Sequence, residues 1–157
     1  MSIKFHSSVL MTNNFEQMKS FYIEGLNLKV KDDFGSCIGF DCGLSIWQMG
    51  ENQPLAKAIG RTFHNDGNKN LEICFETENF DPDVARLKSF GIKLIHDIQL
   101  ETWGQMTIRF YDPDGNMIEL GETIPTFVRR LHKEGMTVEE VVEKTGVPVV
   151  QVGEMLL

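Results

Sequence analysis

Alternation of apolar and polar positions organises the chain up to residue 122, and the same order of segments comes twice. FHSSVLM and LEICFET alternate as half-buried strands do, and each leads into a stretch with apolar residues at helical spacing. In the first such stretch these are Phe15 and Met18 with Phe21 and Tyr22; in the second, Val84 and Leu87 with Phe90. TNNFEQMKSF and TENFDPDVARLKSF share Thr-x-Asn-Phe at a shift of 65 residues and both later reach Lys-Ser-Phe, the second helix being about one turn longer. Asn14 and Asn79 stand where N-caps belong. After each helix, Gly25-Leu26 or Gly91-Ile92 opens further strand-like segments. Each unit therefore reads β-α-β-β-β, over residues of about 3–50 and 70–122.

The sharpest local signal is RFYDPDGNMIELGE, Arg109 to Glu122. Pro113 presets a turn-compatible φ, Asp112 and Asp114 can accept nearby backbone N–H groups, and Gly115 tolerates positive φ, so two strands meet at a tight reversal. Side chains alternate faces along a strand. Ile118 and Leu120 therefore share one face, while Glu119 shares the other with Met117; on the preceding strand Thr107, Arg109 and Tyr111 share a face. A carboxylate among apolar neighbours needs a partner or a chemical role.

From Thr123 onward the pattern changes to short amphipathic helices. Phe127, Val128 and Leu131 mark one, ending by Gly135. Thr137 and Glu140 fit a capping box for a second that runs to Gly146, and Pro148 suits the start of a third. The segment TVEEVVEKTGVPVVQVGEML has the look of a helix-turn-helix, but the helix after Pro148 carries Glu154 and neither Lys nor Arg, which argues against DNA reading and for docking. The expected organisation is a two-module domain over 1–122 and a helical tail over 123–157.

A formal charge of -8 over 157 residues, with no basic stripe, disfavours nucleic acid and anionic membranes as partners. MSIKFHSSVL lacks the organisation of a signal peptide and no apolar run approaches a membrane span, so a cytoplasmic protein is expected. Cys37, Cys42 and Cys74 lack metal-type spacing and are read as free thiols. His64 and His96 are read as solvated loop residues, either of which could reach over a rim.

The strand followed by NFEQMKSFYIEGLNLKV, and DPDGNMIEL near the end of the second module, resemble the vicinal oxygen chelate superfamily, which includes glyoxalase I, bleomycin and fosfomycin resistance proteins and extradiol dioxygenases. The resemblance spans roughly residues 3–122. It implies an α+β fold of two βαβββ modules forming a curved eight-stranded cup, commonly within a homodimer, here with a C-terminal helical appendage. It also implies that ligands to a metal come from the first and last strands of each module. Four residues after the hairpin glycine stand Glu119 in module two and Trp47 in module one; the first-strand positions are Glu72 and, 65 residues earlier, Ser7. Trp is no ligand and Ser a poor one. Next to Ser7, His6 can supply a donor only if a β-bulge re-aims it; otherwise it is an exposed residue near a strand start.

Two carboxylates converging in a partly apolar site require a metal, an Arg or Lys, a cationic ligand or a shared proton. Arg109 either holds an anionic substrate or pairs with Glu72 or Glu119, and Trp103-Gly104-Gln105 offers a rim with a flat apolar surface. The chain is thus read as a glyoxalase-like small-molecule enzyme, lactoylglutathione-lyase-like or dioxygenase-like. Glu72 and Glu119 would be catalytic groups holding a divalent ion (Zn, Ni, Co, Mn or Fe), with Arg109, Trp47, Trp103, Thr107 and Tyr111 against the substrate. The alternative is a metal-free binding protein of the bleomycin-resistance type, in which Trp47, Trp103 and the acidic pair sequester an aromatic or cationic compound.

Overall fold

The computed structural model describes residues 3–59, 67 and 70–157. The chain divides into two compact units, Met1–Leu71 with Tyr111–Asn116, and Glu72–Phe110 with Met117–Leu157.

In the first unit the elements run β1 (Ser8–Thr12), α1 (Phe15–Ser20), β2 (Val30–Asp33), β3 (Cys37–Phe40), β4 (Leu44–Gln48) and a short α2 (Pro54–Ile59) that the sequence pattern leaves unassigned. Helix α1 continues as a wider turn through Phe21–Gly25, where the Leu26 N–H reaches back to the Phe21 carbonyl at 3.0 Å. The sheet order is β1-β4-β3-β2, with β1 parallel to β4 and the other pairs antiparallel. Gly43, at φ 85°, closes the β3–β4 turn in a conformation that a side chain disfavours. Met18, Tyr22, Ile38 and Ile46 are fully buried, each contributing roughly 1.5–3 kcal/mol of apolar transfer. The hairpin tip 111–116 clusters with this unit rather than with its own module. One tie is the Tyr22 hydroxyl, which donates to Asp112 Oδ2 at 2.8 Å.

The second unit repeats the order with β5 (Glu72–Thr77), α3 (Phe80–Phe90), β6 (Lys93–Leu100), β7 (Met106–Tyr111) and β8 (Met117–Glu122). Its sheet order is β5-β8-β7-β6, and β5 runs parallel to β8. Ile108, Phe110, Ile118 and Leu120 are buried. Strand alternation leaves Arg109 and Glu119 on the opposite face.

Asn14 and Asn79 occupy the N-cap positions of α1 and α3 but make no side-chain cap bond. The preceding threonines organise the entry instead: Thr12 Oγ1 accepts the Asn14 N–H at 2.8 Å, and Thr77 Oγ1 accepts the Asn79 N–H at 3.0 Å.

The C-terminal appendage consists of α4 (Ile124–Lys133), α5 (Val138–Thr145) and α6 (Val149–Leu156) around Phe127, Val128, Leu131, Val141, Val147 and Val152. The capping box of α5 forms as its sequence predicts: the Glu140 N–H donates to Thr137 Oγ1 at 3.2 Å and the Thr137 N–H to Glu140 Oε2 at 2.8 Å. No described helix is long and apolar enough to cross a membrane.

Candidate functional site

Three strands of the second unit and the turn after β6 bring four charged side chains together. Arg109 on β7 donates through Nε to Glu72 Oε1 on β5 at 2.7 Å, through Nη1 to Glu101 Oε1 at 2.7 Å, and through Nη2 to Glu119 Oε2 on β8. One guanidinium thus joins three carboxylates. Glu72 and Glu119 reach one face because of the parallel β5–β8 register, which sets Glu72 against Met117 and Cys74 against Glu119. Thr107, with no solvent exposure, donates its hydroxyl to the same Glu101 oxygen at 2.8 Å.

Residue His96 completes the cluster. The sequence reading puts it in a solvated loop, but it lies in β6, with Nε2 3.2 Å from Arg109 Nη1 and Nδ1 2.7 Å from the Asp97 carbonyl. A proton on Nδ1 satisfies that carbonyl and leaves the Nε2 lone pair to accept from Arg109, so the geometry favours the Nδ1–H tautomer.

The charges do not share one environment. Burial pushes the Glu119 carboxyl up, with the Glu72 and Glu101 charges adding to it against the pull of Arg109. Glu101 is held below the usual carboxylate range by the Arg109 and Thr107 hydrogen bonds. For Arg109, desolvation works against the charge, but the bonds to Glu101 and Glu72 and the Glu119 charge outweigh it and hold the guanidinium protonated. Cys74 is pushed up to about 11 by desolvation and then by the Glu119 and Glu72 charges, so at neutral pH it is a thiol. Cys74, Glu72 and Glu119 offer ligand atoms within 4.8 Å of one another.

Of the residues expected at the site, Glu72, Thr107, Arg109 and Glu119 meet in this cluster. Trp103 does not touch it directly; its indole N–H donates to Gln105 Oε1 at 2.9 Å within the turn that follows Glu101. Trp47, half-buried on β4, Tyr111 at the hairpin tip and His6 belong to the first unit. His6 is exposed and precedes β1, whose ladder with β4 begins at Ser8 and runs without a bulge. His64 lies outside the described residues.

The ladders also refine the module-one counterparts. The carbonyls of Thr12 and Thr77 accept the N–H groups of Met49 and Thr123, which equates those positions at one end of the sheets. Counted from there, Val9 opposite Ser45 matches Cys74 opposite Glu119, and Ser45 rather than Trp47 is the equivalent of Glu119. Counting from the hairpin glycines leads to Trp47 because module two has two more residues between that glycine and the matched end. A two-residue difference preserves the face, so Ser45 and Trp47 lie on the same face of β4.

Glu101, His96 and Cys74 are the site residues that sequence reasoning missed. Glu101 follows β6 with no motif around it, and only the turn through Gln105 folds it toward Arg109: the Glu101 N–H donates to the Gln105 carbonyl at 2.8 Å.

A family model described as a glyoxalase-like domain matches residues 5–125. A 4-hydroxyphenylpyruvate dioxygenase of Caenorhabditis elegans is 33% identical over 72 residues, 46% of this chain; the chain spans only 17% of that protein's length. Among solved structures, a protein of unknown function from Agrobacterium tumefaciens str. C58 is 31% identical with TM-score 0.69, covering 79% of this chain and 97% of that one. A lactoylglutathione lyase from Agrobacterium tumefaciens is 20% identical with TM-score 0.56, covering 78% and 96%, and shares the fold.

Proposed function

We propose that this chain, which belongs to the glyoxalase-like domain family of the vicinal oxygen chelate superfamily, is a metal-independent small-molecule-binding protein of the bleomycin-resistance type. The observation that carries the reading is the bonding of Arg109 to Glu72, Glu101 and Glu119 at once. The two carboxylates that would hold a divalent ion already accept from the same guanidinium, and a cation placed between them would meet its charge. These residues do not fit a resident divalent metal.

With all groups ionised, three carboxylates against one guanidinium leave two negative charges unbalanced. That excess favours a ligand bringing positive charge or hydrogen-bond donors. The partly exposed indole of Trp103, two residues beyond Glu101, supplies an aromatic surface at the adjoining turn.

A second reading, a metal-dependent lyase, is favoured by the short mutual distances among the Glu72, Cys74 and Glu119 ligand atoms, all within 4.8 Å. It requires Arg109 to leave both carboxylates. Thermal-shift titration of chelator-treated protein with zinc, nickel, cobalt, manganese and iron(II), beside Glu119→Gln, separates the two readings. The proposal expects no metal-induced rise in the wild-type chain, and a rise with cationic aromatic compounds that Glu119→Gln diminishes. A metal-induced rise that depends on Glu119 would overturn it in favour of the lyase.

A further inference from the structure

We infer that the C-terminal helical appendage braces the turn that carries Glu101 and Trp103, and that Arg130 is the positioning residue through which it acts. Arg130 lies on α4, outside both repeated modules. Its guanidinium donates through Nε to Glu122 Oε1 at 3.0 Å, through Nη2 to Glu122 Oε2 at 2.7 Å and to the Gly104 carbonyl at 2.6 Å. Glu122 is buried, and its ion pair with Arg130 ties the helix to the last strand of the sheet.

The bonding continues without a gap into the Arg109 cluster. Glu122 Oε2 also accepts the Met106 N–H at 2.9 Å, and the Glu122 carbonyl accepts Gln105 Nε2 at 2.7 Å. Gln105 Oε1 accepts the Trp103 indole N–H, and the Gln105 carbonyl accepts the Glu101 N–H. Glu101 then binds Arg109. Each link is satisfied at both ends, so losing the Arg130 fork leaves a buried carboxylate and the Gly104 carbonyl without their cationic donor.

Packing points the same way. Gly104 has φ 96°, and a Cβ there would stand 2.8 Å from Leu131 Cδ1 and 3.2 Å from Lys144 Cε. The positive φ disfavours any side chain there, and a larger residue would also have to displace the ends of the Leu131 and Lys144 side chains. The tail is therefore seated on the turn by contact as well as by charge.

Two readouts test this on the full chain with neither ligand nor metal, so the outcome does not depend on what the Arg109 cluster binds. The first is the carboxyl titration of Glu101 by carbon-13 NMR, assigned with Glu101→Gln. The second is the emission of Trp103 in a Trp47→Phe background. Arg130→Ala should move the Glu101 midpoint upward as its bond to Arg109 is lost, and shift Trp103 emission to longer wavelength. Arg130→Lys keeps a charge near Glu122 but cannot make the fork, and should give smaller shifts of the same sign. Arg129→Ala serves as a control, since it removes a different tail bond, Nε to the Met155 carbonyl at 2.9 Å. It should lower Tm while leaving both readouts in place. If Arg130→Ala does not fold, the Arg130→Lys shifts decide. A lower Tm in the Arg130 variants with the Glu101 midpoint and Trp103 emission unchanged would show a tail that only adds stability, and would overturn the inference.

Discussion

Arg109 Nε stands 2.7 Å from Glu72 Oε1 although the two residues are 37 positions apart. The pair joins the first strand of the second module to its third, across β8. Removing the arginine leaves three half-buried carboxylates facing one another. Arg109→Met should therefore cost about 1–3 kcal/mol in urea unfolding at neutral pH, less than the roughly 3–5 kcal/mol for breaking a fully buried pair because the groups keep some solvent. The double variant with Glu119→Gln should lose less than the sum of the single losses, since one repulsive charge has gone. Additive losses would mean that the two side chains act independently.

Opposite titration shifts in one cluster lead to a pH prediction. Glu101 should titrate below the ordinary 4.5 and Glu119 above it, read by carbon-13 carboxyl shifts. The stability contribution of Glu101 is present above its unfolded pKa and lost as pH falls through its depressed folded value. That of Glu119 is present below its unfolded pKa and lost as pH rises through its raised folded value. Glu119→Gln should accordingly make the slope of unfolding free energy against pH more positive between the unfolded value, about 4.3, and the folded pKa of Glu119. An unchanged slope there would mean that Glu119 ionises as an ordinary carboxylate.

The thiol of Cys74 reports on the same charges. With its pKa near 11, alkylation by iodoacetamide should be slow at pH 8 and accelerate steeply up to that value. Glu119→Gln removes a neighbouring negative charge and should speed Cys74 alkylation at pH 8 about threefold to tenfold, followed by peptide mass spectrometry. Equal rates in the two proteins would show that the Glu119 charge does not reach the thiol.

In the first unit, Tyr22 is fully buried with its hydroxyl on Asp112 at 2.8 Å. Tyr22→Phe should cost about 1–2 kcal/mol. Asp112 Oδ2 keeps the Asn116 side-chain amide at 2.9 Å, so the hairpin turn survives the loss. Denaturant melts measure the cost, while the Glu101 and Glu119 titrations should stay where they are. Movement of those titrations would show that the hairpin tip controls the Arg109 cluster.

The sequence alone determined whatever depends on local period and turn chemistry. Two βαβββ modules follow from repeated alternation and the Thr-x-Asn-Phe entries, the capping box of α5 from Thr137 and Glu140, and the grouping of Thr107 with Arg109 and of Met117 with Glu119 from strand alternation. Neighbours along the chain set these features, and the chain states its neighbours directly. Tertiary structure decided the partners. Glu101 reaches Arg109 through a turn with no sequence signature, His96 lies in a strand where polarity suggested a loop, and Cys74 meets Glu119 only through a parallel ladder between residues 45 positions apart. Whether a carboxylate faces a guanidinium or a metal depends on which side chains the sheet order brings to one face, and strand period fixes the face of a residue without naming its neighbour.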